Sequence, residues 1–89
     1  MKLVFFVKDD CGACKNAKEK VGFFLQKWGA SDTVGTEVIN LSTEDGLVEA
    51  AMRDVAEIPT IVLEDDGDEV ARWAKKAPTS EELKGSLGL

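Results

Sequence analysis

The sequence predicts an α/β fold in which one four-stranded mixed sheet is covered by helices on both faces, in the order βαβαββα. Three observations carry that prediction. Lys2 to Val7 is an almost unbroken apolar run of β-branched and aromatic residues, which suits a strand buried on both faces. From Cys14 onward, Ala17, Val21, Phe24, Leu25 and Trp28 recur at helical spacing. Near the other end, two strand-like runs flank a cluster of aspartates and a glycine, the composition a tight hairpin needs.

Taken in order, the first strand is Lys2 to Val7, and a helix then begins at the cysteines. Its apolar stripe leaves Lys15, Lys18, Lys20 and Lys27 elsewhere on the cylinder, and Gly29 ends it. The small and polar stretch "GASDTVGT" reads as a loop leading to a short second strand, Glu37 to Leu41. Ser42 with Asp45 resembles a capping box, which predicts a second helix over Thr43 to Val55 with Leu47, Ala50, Ala51 and Val55 on its apolar face. Gly46 weakens that helix. Thr60 to Glu64 and Glu69 to Ala74 are expected to pair antiparallel. Thr79, with Glu82 three positions on, caps a final helix through Leu83 and Leu87.

A chain of 89 residues that is 44% hydrophobic supports one core, so residues 1–89 are expected to form a single domain. Seventeen acidic against 11 basic residues give a net charge of -6 with no block of Lys or Arg, which speaks against nucleic acid as a partner. The apolar run near the N-terminus is shorter than a signal-peptide core and far shorter than a membrane span, so the expectation is a soluble, cytoplasmic protein.

Both cysteines fall in "DDCGACK", Asp9 to Lys15, between the first strand and the first helix. A structural staple is a poor explanation, since bridging a two-residue gap removes little chain entropy. A metal or iron-sulfur site is a second possibility, but the chain has no histidine and no third cysteine, so a dimer or an external thiol would have to complete it. An inert interaction domain with a vestigial pair is a third. A redox couple fits best. The start of a helix offers unpaired N–H groups and the positive end of the dipole, and thiols placed there have pKa values of roughly 3.5 to 7.5 in place of about 8.5. Cys11 is therefore expected to be the nucleophile, and Cys14, one turn further in, the thiol that resolves a mixed disulfide. Gly12 and Ala13 are small and leave the Cys11 sulfur accessible. Lys8, Lys15 and Lys18 would favour a thiolate, while Asp9 and Asp10 would oppose it. No metal or cofactor is expected.

Pro59 opens the third strand in "EIPTIVL", where a proline need not donate to the ladder. Only ~5–6% of X-Pro bonds are cis, so local physics alone favours trans.

Together these residues resemble the thioredoxin and glutaredoxin family: a strand, then C-G-A-C-K opening a helix, then I-P-T opening a hairpin, then a capped terminal helix. The resemblance spans nearly the whole chain and implies a thioredoxin-like, glutaredoxin-type fold with a cis Ile58-Pro59 bond beside the cysteines. It implies a thiol-disulfide oxidoreductase that reduces protein disulfides through Cys11 and Cys14, working as a monomer with a flavoprotein disulfide reductase or glutathione as electron source. Lys8, Gly12, Ala13, Ile58, Pro59 and Thr60 are the substrate-binding positions it implies, with the Ile58 backbone available to an extended substrate segment.

The chain mixes the two branches. Its ten residues before Cys11 and its Lys8 are similar to glutaredoxins, whereas Gly12 and "GDEVARW" are similar to thioredoxins. It departs from both. The Gly-Gly-Asp clamp that glutaredoxins use for glutathione is missing after Trp73. The tryptophan and buried aspartate of thioredoxins are replaced by Asp10 and Phe5. Trp28 and Trp73 are expected to be packing residues.

Overall fold

A computed structural model describes all 89 residues. Its elements are β1 (Lys2–Val7), α1 (Gly12–Lys27), β2 (Gly35–Asn40), α2 (Glu44–Met52), β3 (Thr60–Asp65), β4 (Asp68–Ala74) and α3 (Ser80–Leu87). The sheet runs β2-β1-β3-β4, with β1 parallel to β2 and antiparallel to β3, and β3 antiparallel to β4. This is the predicted order and the predicted mixed sheet.

Alternation along β1 divides the core in two. Leu3, Phe5 and Val7 face α1 and α3, where they meet Cys14, Ala17, Val21, Leu25 and Leu83. Val4 and Phe6 face the other way and pack with Ile39, Leu41, Ala50 and Val55 on the α2 side. A strand that must supply side chains to both layers has no polar position to spare, which is why Leu3 to Val7 is apolar throughout. Trp73 is buried, and half-buried Trp28 stacks on Phe24 at 5.5 Å, so both tryptophans pack as expected.

The β3-β4 turn is a two-residue one. Asp66 and Gly67 sit at φ 53° and 83°, the left-handed pair that a type I′ hairpin requires, and a bulge opposite the Leu63-Glu64 step leaves Val70 unpaired and exposed. At α3 the capping box is complete: the Thr79 hydroxyl accepts from Glu82 N, and the Glu82 carboxylate accepts from Thr79 N at 2.9 Å. That backbone hydrogen bond holds the Glu82 carboxyl below the usual carboxylate range. Thr79→Ala is expected to cost about 1 kcal/mol, seen as a melting midpoint ~4–8 °C lower by circular dichroism. An unchanged midpoint would mean that packing of Leu83 alone holds α3.

The second helix differs from its prediction. Its N-cap is Thr43, whose hydroxyl accepts from Gly46 N at 3.0 Å, and Ser42 is outside the cap, its Oγ accepting from Asp9 N. The helix also ends at Met52, three residues short of Val55. Leu47, Val48, Ala51 and Met52 are exposed, while Gly46 and Ala50 make the buried face. The reason is proximity. Gly46 lies so close to the end of β2 that a Cβ added to it would overlap the Asn40 carbonyl. A helix seated backbone against backbone has little room for large side chains on its inner face.

Past its C-terminus, α2 is tied to the far edge of the sheet. Arg72 on β4 donates to the Asp54 carbonyl at 2.9 Å and the Arg53 carbonyl at 2.6 Å while pairing with Glu69. Arg53 in turn donates to Glu64, which is 9% exposed, and to Glu49. These two hydrogen bonds raise the Arg53 pKa above its usual value. The segment from Val55 to Pro59 therefore leaves a fixed point. No helix is long and apolar enough to cross a membrane.

Candidate active site

The site forms where β1 stops. Lys8 to Asp10 are exposed, Asp10 adopts the left-handed conformation at φ 55°, and the chain turns directly into α1. Cys11 is the N-cap of that helix, with extended backbone at φ -107° and ψ 101°. Its Sγ accepts the Cys14 N–H at 3.1 Å, the place a serine or aspartate oxygen normally takes. The two cysteines are joined as a disulfide, with Cα atoms 5.2 Å apart.

Exposure separates the partners. Cys11 is partly exposed, whereas Cys14 is 3% exposed and sits in the α1-side core with Phe5, Val7 and Ala17. In the reduced protein, a Cys11 thiolate would keep the Cys14 N–H and face the positive end of a helix whose first turn has no acidic residue. Cys14 has no comparable donor and an apolar setting, which favours its neutral thiol. The two sulfurs thus differ in exposure and in hydrogen bonding.

An open groove of about 520 Å³ runs along one side of the pair. Lys8, Gly12, Cys11 and Cys14 line it together, with Asp9, Asp10, Lys15 and Lys18 from the same stretch and Val38 and Asn40 from β2. A smaller groove of about 220 Å³ brings Ala13 beside Pro59, with Lys20, Lys75 and Lys76 around them. Of the substrate positions implied by the resemblance, Lys8 and Gly12 line the first groove, Ala13 and Pro59 the second, and Ile58 and Thr60 neither. Gly12 and Ala13 are both exposed.

The Ile58-Pro59 bond is cis, against the local preference and in line with the resemblance. Ile58 is partly buried against both core layers, and neither its N–H nor its carbonyl takes part in a backbone hydrogen bond outside the regular elements. The Pro59 carbonyl is occupied by Lys75 N at 2.7 Å. Thr60 is 2% exposed and its hydroxyl donates to the Glu57 carbonyl, so its side chain serves the loop and faces no groove. Lys75 Nζ closes the same loop from outside, 3.0 Å from Glu57.

Sequence reasoning missed one network. Asn40 Nδ2 donates to Asp9 Oδ1 at 2.9 Å, Asp9 N donates to Ser42 Oγ at 3.0 Å, and Ser42 N donates to Asn40 Oδ1 at 2.9 Å. This ring fastens the approach to Cys11 to the end of β2. Only the parallel pairing that sets Val7 opposite Asn40 brings its members together, and nothing local in the sequence signals it.

No group of three or more His, Cys, Asp or Glu side chains is arranged to hold a metal ion. The chemistry on offer is that of the two sulfurs: Cys11 can attack an outside disulfide and Cys14 can displace it.

No family model and no curated protein matches the chain. Solved structures do. Thioredoxin 1 from the thermophilic eubacterium Thermosipho africanus TCF52B aligns over 99% of this chain and 91% of its own, with a TM-score of 0.76 and 23% identity. Thioredoxin O2 from Arabidopsis thaliana in its oxidized state aligns over 98% of this chain and 71% of its own, with a TM-score of 0.74 and 16% identity. The oxidized form of mitochondrial thioredoxin 3 from Saccharomyces cerevisiae aligns over 99% and 77%, with a TM-score of 0.72 and 21% identity. Likeness at these identities speaks for architecture, and with β1, the cysteine-capped helix and the Pro59 hairpin in their places, the chain has a thioredoxin-like fold.

Proposed function

We propose that the protein is a dithiol-disulfide oxidoreductase that reduces protein disulfides. The observation that carries this reading is the asymmetry of the pair: Cys11 caps a helix at the surface, and Cys14, bonded to it, is buried one turn inside. In the reduced protein the Cys11 thiolate attacks one sulfur of a substrate disulfide. The substrate S–S bond breaks, one substrate thiolate leaves, and a mixed disulfide remains on Cys11. Cys14 then gives up its proton and attacks Cys11 Sγ. The mixed disulfide breaks, the second substrate thiol leaves, and the Cys11-Cys14 disulfide forms. Two electrons and the Cys14 proton have passed to the substrate, whose first thiolate takes its proton from solvent, and an external thiol donor, a flavoprotein reductase or glutathione, restores the dithiol.

Free backbone groups at Ile58 would bind an extended substrate segment next to the pair, with Pro59 and Ala13 beneath it and Lys8 and Gly12 across the cysteines. The protein works in this reading as a cytoplasmic monomer. The test uses Cys14→Ser, which removes the displacement step and leaves the attack. After incubation with a disulfide substrate, mass spectrometry is expected to find the adduct on Cys11 of that variant and almost none on Cys11→Ser. Adducts mainly on Cys14 would reverse the roles, and none on either variant would overturn the reading.

A further inference from the structure

We propose that Asp9 is the proton acceptor for Cys14, held in place by Asn40 as a positioning residue. The inference rests on the oxidoreductase reading above. Displacement of the substrate requires Cys14 Sγ to lose its proton, yet Cys14 is 3% exposed and its core neighbours, Phe5 and Val7 among them, are apolar. The proton must leave through the one groove that Cys14 lines, and the carboxylates lining that groove are Asp9 and Asp10.

The two differ in how they are held. Asp9 is fixed at two points, by Asn40 Nδ2 on Oδ1 and by Ser42 Oγ on its N–H, which leaves Oδ2 free. Asp10 lies in the left-handed turn and makes no side-chain hydrogen bond or ion pair. Asn40 is itself fixed, because its Oδ1 accepts from Ser42 N and its carbonyl accepts from the Thr43 hydroxyl. A carboxylate secured from the neighbouring strand keeps one position while the Cys11 sulfur changes partners. Preorganisation of this kind is what a proton acceptor needs.

The charged groups around Asp9 are Lys8 and Asp10 from its own loop and Lys15 and Lys18 from α1, while β2 contributes only Val38 and Asn40. Three lysines against two aspartates keep the groove from repelling a nascent Cys14 thiolate. The Cys14 proton passes through groove water to Asp9 Oδ2, the Cys14 thiolate forms a bond to Cys11 Sγ, and the bond from Cys11 to the substrate sulfur breaks. The departing substrate thiolate carries away the electron pair and takes up a proton from Asp9 or from solvent.

An aromatic disulfide that releases a coloured thiolate at each step separates the two attacks in stopped flow. The first release reports Cys11 and the second reports Cys14. In Asp9→Asn the first release is expected to be no slower than in the wild type, since removing a nearby negative charge does not disfavour the Cys11 thiolate, while the second slows on the order of 10²-fold at neutral pH. The second rate should also climb about tenfold per pH unit in that variant, as hydroxide replaces the lost acceptor. Asn40→Ala should slow the same phase by a smaller factor, and Asp9→Glu should restore part of it. A second release unchanged in Asp9→Asn at every pH, or slowed more by Asp10→Asn, would overturn the assignment. A wild-type protein with no first release would overturn the oxidoreductase reading along with it.

Discussion

Cys11→Ser is expected to lower disulfide-reductase turnover on the order of 10³-fold or more, measured as reduction of a protein disulfide with excess dithiol donor. Serine keeps the N-cap, since its oxygen can accept the Cys14 N–H as the sulfur does, so the fold should be retained with its melting midpoint little changed. What disappears is the sulfur proposed to form the mixed disulfide. The remaining thiol, Cys14, is 3% exposed and lacks the helix-start hydrogen bond. Its attack on an outside disulfide therefore suffers in access and in thiolate fraction together. A variant retaining a tenth of the activity would mean that Cys14 reaches substrate directly, and the assignment of roles would fall.

Gly46→Ala should be the most damaging small substitution on the α2 side. In an exposed helix interior that change usually stabilises, because alanine is the better helix former by about 1 kcal/mol. Here the new methyl would overlap the Asn40 carbonyl and crowd the Thr43 hydroxyl, and the main obstacle is backbone that cannot swing aside. The expected loss is about 3 kcal/mol, a fall in melting midpoint of roughly 12–24 °C for a domain of this size. Gly22→Ala is the contrast. It lies within α1 with nothing within 4 Å of an added Cβ, so the same chemical change should raise stability by ~0.5–1 kcal/mol. Denaturant unfolding of both variants checks the pair, and equal effects would show that propensity, and not the contact at Asn40, governs position 46.

These opposite outcomes mark where the sequence could be read and where it could not. β1 was legible because a strand buried on both faces leaves a continuous apolar run, and α1 because its inner face repeats at Cys14, Ala17, Val21 and Leu25. The hairpin announced itself through Asp66 and Gly67, and α3 through Thr79 and Glu82. In each case the signal is local. Helix α2 misled because its burial is carried by a missing side chain, Gly46, and by one small one, Ala50, and a pattern of large apolar residues has nothing to say about a backbone contact. At the site, the cysteines and the I-P-T stretch were legible as short motifs. The Asp9, Asn40 and Ser42 ring was not, since its members lie some thirty residues apart and meet only after β1 and β2 have paired.

The Arg72 clamp bears on how tightly a partner could be held. Helices fray most readily at their last carbonyls, and α2 has no basic residue in its own final turn to restrain them. Arg72 supplies that restraint from β4. The carbonyls just past α2 are thereby immobilised, and with them the start of the short segment that ends at Ile58. An extended peptide pairing with the free backbone groups at Ile58 would meet a loop already ordered in the unbound protein. Little conformational entropy would then remain to be lost on association, and more of each new hydrogen bond would appear as affinity. A guanidinium on β4 would in this way set part of the strength with which a bound segment is held at Ile58.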